Sequence, residues 1–342
     1  MADVTQDKEQ SKALFGVVRR AFLNLGALPL VLIAVIVFFG VQEERFLSAD
    51  NIFNVVRQST YLAIIAMGQM LVLLTAGLDL SVGSLIGLVS VVAAQVMAPY
   101  ADGSPDLIVW GCVLGVLAGL GVGVLVGVVN GVGVAFLNVP PFMMTLGMLS
   151  SLFGAALLLS GGSPVYGLPE VFSMYFGFGR FFDIPAPLYF TVALFVLVYV
   201  VLNWTRLGRY FYAIGSNRRA ARLSGVRVKF YTLMAYVMCS LLVAVAGLLL
   251  LARIDTGEAT LGQSLVLESV AACAIGGVSL FGGIGRVGNV LFGAFFITLL
   301  TNGMNLIRVE SYVQQIVLGL VLIFAIVVDQ FRLRYMGQLR TE

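Results

Sequence analysis

Residues 77–84 read Gly77-Leu78-Asp79-Leu80-Ser81-Val82-Gly83-Ser84 and set one carboxylate between two apolar runs, 59–76 and 82–98. Each run is long enough to cross a bilayer. An Asp within hydrocarbon costs about 2.5–3.5 kcal/mol on insertion scales, so it persists where protein or water satisfies it. The flanking glycines predict a backbone break or a tight turn. Two roles are open for Asp79. It is a pathway or gating group, or it caps the next helix by accepting from the backbone N–H of Val82 or Gly83.

Composition places that acid in a membrane. Hydrophobic residues fill 60% of the 342 positions and charged residues only 11%, which excludes a soluble globular domain. Long apolar segments recur without strand-like alternation. The expected fold is therefore an all-α polytopic membrane protein of about ten transmembrane helices. Their expected limits are 24–41, 58–76, 82–98, 107–135, 142–160, 187–204, 230–252, 264–281, 288–307 and 312–329. With both termini in the cytoplasm, Arg45, Arg57, Arg180, Arg253 and Arg308 are the only five of the 20 Lys and Arg residues on the outer side. That bias satisfies the positive-inside rule. The chain then divides into a cytoplasmic tail at 1–23, a transmembrane domain at 24–329 with a cytoplasmic loop at 205–229, and a second cytoplasmic tail at 330–342. Arg19-Arg20-Ala21-Phe22-Leu23 superficially matches a twin-arginine export signal. No small-residue cleavage site follows and further spans do, so a signal-anchor first helix is expected.

Several chemistries drop out. The chain has no histidine, which removes His-based acid–base catalysis and most His-ligated metal sites, so no metal is expected. Cys112, Cys239 and Cys273 lie in apolar runs and read as small buried hydrophobes. Gly283-Ile284-Gly285-Arg286-Val287-Gly288 fits a dinucleotide pattern, yet both flanks are transmembrane, so a tight helix-to-helix turn is the reading and no nucleic-acid or nucleotide partner is expected there. Glycines at 111, 115, 119, 123, 127 and 131 form a four-residue ladder suited to close helix packing. Each step of four residues drifts by about 40°, so the ladder winds around its helix, and packing within the subunit is weighed against a dimer interface. That run also implies strong tilt or a break.

The remaining polar groups at membrane depth are the candidates for function: Asp79, Ser81, Asn130, Thr145, Glu268, Asn302 and Asn305. Such residues line a bundle interior or a water-filled route, or tie helices together as interhelical hydrogen bonds. In the cytoplasmic loop, Asn217 is a plausible N-cap and Gly225 a plausible stop for a short helix at 218–224. Ala220, Ala221 and Leu223 give it small and apolar contacts, while Arg218, Arg219 and Arg222 give it charge. A merely solvated loop explains the arginines but not the capped helix, so docking to a cytoplasmic partner is expected. No enzyme constellation appears, and none of the three lysines sits in a phosphate loop. If ATP powers the protein, another chain binds it.

These pieces together resemble the ribose-type sugar permeases of bacterial ABC importers, in the branched-chain amino acid/ribose permease superfamily. The resemblance covers about 46–329. It rests on residues 77–84, on Thr205-Arg206-Leu207-Gly208-Arg209, and on Gly215-Ser216-Asn217 leading to Ala220-Ala221-Arg222-Leu223-Ser224-Gly225-Val226. Gly276-Gly277 through Gly283 and Asn302-Gly303-Met304-Asn305-Leu306 also fit. It implies a multi-pass subunit of the bacterial inner (plasma) membrane that carries a monosaccharide or small polyol. The implied partners are membrane lipid, a second permease copy, a periplasmic sugar-binding protein and a cytoplasmic ATPase that holds ATP and Mg, so this chain has no cofactor of its own. It implies ATPase coupling for Asn217, Arg218, Arg219, Ala220, Ala221, Arg222, Leu223, Ser224, Gly225 and Val226. Glu268 stands where relatives often carry Asp, one methylene shorter. An ion-coupled secondary transporter using Asp79 and Glu268, or a passive solute channel, is the alternative; neither needs a docking helix.

Overall fold

The computed structural model describes residues 28–338. The expected tail at 1–23, with the Arg19-Arg20 pair, lies outside the described residues, as does the end of the expected tail at 330–342. Twelve α-helices of six residues or more follow in order among the described residues. They are α1 (Leu28–Gln42), α2 (Ala49–Leu74), α3 (Val82–Met97), α4 (Pro105–Ala135), α5 (Pro141–Ser160) and α6 (Ala186–Trp204). Then come α7 (Arg206–Ser216), α8 (Arg218–Leu223), α9 (Val228–Ile254), α10 (Leu265–Ile275), α11 (Val287–Leu306) and α12 (Ser311–Gln338). The one sheet is a minimal hairpin pairing Arg180–Phe181 with Ile184–Pro185.

By length and composition, seven of the described helices can cross a membrane: α2, α3 (counted on through Tyr100), α4, α5, α6, α9 and α11. Three shorter apolar helices accompany them, at Leu32–Gln42, Leu265–Ile275 and Ser311–Val327. The main departure from expectation is at 264–281, where helix persists only over Leu265–Ile275. Glycine explains the difference. Gly277, Gly282 and Gly283 take positive φ of 74°, 96° and 73°, a region closed to most side chains, and the chain turns there instead of continuing. In contrast, α4 runs unbroken for 31 residues, roughly 46 Å, so the break allowed for that run does not occur.

Helices α2, α3, α9 and α11 form the buried centre, whereas α4, α5 and α6 lie mostly on the periphery. The glycine ladder attaches α4 to that centre. Gly111 and Gly115 face Tyr100 and Met97, and Gly119 meets Val89 and Leu248. Gly123, Gly127 and Gly131 then face Ala244, Val237 and Leu233 of α9. The ladder thus winds from α3 onto α9 within one subunit, as its angular drift requires. A Cβ at Gly127 would stand 2.6 Å from the Val237 Cα, a backbone atom that cannot swing aside. Gly127→Leu is expected to cost about 1–3 kcal/mol or more through overpacking. Detergent-extracted protein should then lose its monodisperse peak on size exclusion, whereas Gly121→Leu, at a position with open space, should keep it.

Candidate translocation and coupling site

The Asp79 stretch is a helix break. α2 ends at Leu74, Ala76 adopts a left-handed φ of 59°, and α3 begins at Val82. The Tyr236 hydroxyl lies 3.4 Å from the Leu78 carbonyl oxygen, and Gly247 packs on Ile86. Tyr236 stands eight residues, about 12 Å, into α9, so the break lies roughly two turns inside the first end of that helix. Non-helical backbone survives at that depth only when buried in protein or facing water.

Asp79 is completely buried, and its bonding departs from the expected cap. Its Oδ1 accepts from the Ser81 N–H at 2.9 Å and the Ser81 hydroxyl at 2.6 Å, instead of from Val82 or Gly83. The carboxylate thereby closes a turn two residues long, one position ahead of the helix, and Ser81 becomes the N-cap residue. Asn130 of α4 joins the group, with Nδ2 2.8 Å from Ser81 Oγ and 3.4 Å from Asp79 Oδ2. Thr145 of α5 donates to Pro141 at 2.9 Å and lies 3.3 Å from the Leu78 oxygen. Asp79, Ser81, Asn130 and Thr145 are thus brought together, and helices α4, α5 and α9 converge on one loop.

The other candidates lie elsewhere. Asn302 exchanges side-chain hydrogen bonds with Asn51 at 2.9 and 3.0 Å, joining the end of α11 to the start of α2. Asn305 accepts from Gln314 at 2.8 Å, which ties α11 to α12. Glu268 stands in the first turn of α10, hydrogen-bonded to Ser264.

The cytoplasmic loop folds as its caps dictate. Asn217 Oδ1 accepts from the Ala220 N–H at 2.9 Å, α8 spans Arg218–Leu223, and Gly225 closes it at φ 81° with its N–H on the Arg222 carbonyl at 3.1 Å. Ala221 is the buried residue of α8 and packs with Ile214 and Val228. Arg218, Arg219, Arg222 and Leu223 point outward, Leu223 at 81% exposure.

Sequence reading did not single out α7. Thr205 caps it, and Leu207, Phe211 and Ile214 repeat at the i, i+4, i+7 spacing of an amphipathic helix, a signal that was there to find. This helix carries α8 up against the membrane core. The Tyr212 hydroxyl donates to the Gly285 carbonyl at 2.9 Å, and burial pushes its pKa up, keeping it a neutral donor. Gly215 lies against the last carbonyl of α2, Leu74, and against the Gly283 N–H; those two groups bond each other at 3.1 Å. Leu74, Gly215 and Gly283 therefore form a three-way backbone joint. It links α8, the Asp79 break and the turn after α10.

The family model described as branched-chain amino acid transport system / permease component matches residues 51–326. Ribose import permease protein RbsC of Escherichia coli K12 is 39% identical over 303 residues, which cover 88% of this chain and 91% of that one. The protein of the same name from Bacillus subtilis 168 is 36% identical over 324 residues, 94% and 96% of the two chains. Galactose/methyl galactoside import permease protein MglC of Salmonella typhimurium LT2 is 36% identical over 312 residues, 89% and 92% of the two. No solved structure matches the chain significantly.

Proposed function

The chain belongs to the branched-chain amino acid transport system permease family, and on that premise we propose that it is the membrane-spanning subunit of an ATP-driven importer for a monosaccharide or small polyol. It is a transport subunit of the inner membrane and not an enzyme. The reading includes about ten spans with both termini in the cytoplasm, in keeping with the positive-inside bias. A separate ATPase holds ATP and Mg, a periplasmic binding protein delivers the solute, and a second permease copy completes the route.

The joint at Leu74, Gly215 and Gly283 carries this reading. A docking helix on a loose loop delivers nothing to the membrane; here α8 is seated by Ala221 on α7 and α9, and α7 abuts the end of α2 directly. ATPase closure moves α8, α7 moves with it, and the joint passes the displacement to the Asp79 loop and to the turn after α10. Both are non-helical and free to bend without breaking a full helical ladder. Asp79 then serves as the pivot that holds its loop together, and Asn130 and Thr145 as the groups against which the loop is set.

Uptake in vesicles carrying the permease, its ATPase and its binding protein tests the proposal. Uptake should require ATP and withstand proton and sodium ionophores; abolition by ionophores would establish the ion-coupled alternative instead. Leu223→Glu should lower ATPase co-purification and uptake by about tenfold or more at unchanged membrane level, as loss of an exposed apolar anchor does. Unchanged co-purification would remove α8 from the docking surface.

A further inference from the structure

The segment at 257–264 is a second non-helical stretch at membrane depth. Its inner side is sealed onto α3. Ser90 Oγ accepts from the Glu258 N–H at 3.1 Å and lies 2.9 Å from the Glu258 carbonyl oxygen. Gly87 lies against the Ala259 carbonyl, and a Cβ at Gly83 would stand 2.5 Å from the Gly262 oxygen. Ser90 falls near the middle of the membrane-length stretch Val82–Tyr100, so 257–262 runs beside its central and inner turns.

The outer side of this segment is open and mostly polar, with Leu267 the exposed apolar residue beside it. Thr260, Gln263 and Ser264 are exposed, and Glu268 is partly so one turn after Ser264. Several other open faces are apolar, as at Leu117 and Leu125 of α4 and Ile316, Leu320 and Phe324 of α12. Those faces suit lipid. A broken backbone carrying an amide, two hydroxyls and a carboxylate does not, because hydrocarbon offers none of them a partner. The open side therefore faces water, polar solute or a second protein surface, and not lipid.

We propose that Thr260, Gln263, Ser264 and Glu268 line the solute route and contact the hydroxyls of a polyhydroxylated cargo. The proposal rests on the importer reading above. Gln263 offers donor and acceptor together, Thr260 and Ser264 each offer both, and the Glu268 carboxylate accepts. That set matches a solute whose every hydroxyl both donates and accepts. The contacts sit on an irregular segment and on one helix start, so they form a shallow rung that releases its cargo. Glu268 reaches one methylene further into the route than an Asp at that position.

Cysteine accessibility in the assembled complex tests the route. Thr260→Cys and Gln263→Cys should react with a membrane-impermeant methanethiosulfonate in membrane vesicles, above the background of the parent's own three cysteines. Leu320→Cys, on an apolar face, should not. Failure of both to react would overturn the proposal whatever the parent transports. The cargo contact is tested with ribose and galactose as probes. Gln263→Leu and Glu268→Gln should each lower uptake, or shift the ratio between the two sugars, by at least about tenfold, while binding-protein-stimulated ATP hydrolysis stays within about twofold of the parent. Unchanged uptake and ratio would overturn it, as would parallel loss of ATP hydrolysis, which would make the segment a coupling element. Failure of the importer reading looks different: the parent itself would then show no ATP-dependent uptake although the Thr260→Cys and Gln263→Cys variants still react.

Discussion

Gly215→Val is expected to leave the permease inserted and its ATPase docked while lowering solute uptake by about a hundredfold, equivalent to about 2.7 kcal/mol. A side chain at Gly215 would have to occupy the space of the Leu74 carbonyl and the Gly283 N–H. Both are backbone atoms, so α7 must move away, and the 3.1 Å bond between them must open or bend. The docking face on α8 is untouched, because its cap at Asn217 and its seat at Ala221 lie beyond the joint. Parallel assays of uptake and ATP hydrolysis in proteoliposomes check this: hydrolysis should continue without transport. Gly215→Ala should fall between parent and Val variant. Normal uptake by the Val variant would show that motion reaches the membrane core by another path.

Asp79→Ala is expected to be the most damaging single change in the membrane core. It strands the Ser81 N–H and the Ser81 hydroxyl in a site with no exposure, and leaves Asn130 only its bond to Ser81 Oγ. Each buried group left unsatisfied costs about 1–3 kcal/mol, so the two together cost a large share of the stability margin of an ordinary domain. Asp79→Asn keeps the acceptor oxygen and should retain much of the parent's thermal stability. Asp102→Ala, in an exposed loop, should leave stability and uptake within error of the parent. A thermal-shift series in detergent orders the three. Equal, mild effects for Asp79→Ala and Asp102→Ala would make the intramembrane acid dispensable.

Helical spans were legible because apolar run length and the bilayer's demand for internal hydrogen bonding leave few alternatives. Helix α8 was legible to within one residue, since Asn217 and Gly225 are local signals whose geometry needs no tertiary partner. What escaped was relational. Asn302 looks like Asn130 in the sequence, each followed by glycine in an apolar run, yet one pairs with Asn51 and the other with Asp79 and Ser81. Nothing within one helix says which face of another it meets. The Asp79 turn was anticipated as a cap and proved to close on Ser81, because the helix start is set by how α3 packs against 257–264 and α9. The shortness of α10 escaped too: apolar residues continue past it, and only positive φ at Gly277 shows where helix ends.

Apart from the Ser90 hydroxyl, the seam between α3 and 257–262 is built around close backbone approach, with glycine at 83, 87, 257 and 262. Such a seam is blind to cargo. It forbids side chains and so cannot encode a preference among solutes, whichever relative carries it. On the proposed route, a preference among cargos would be written on the open side of the same segment, a few residues away. A directed-evolution library for new cargo would therefore waste its diversity on the glycines and find its useful variants at positions 260, 263, 264 and 268.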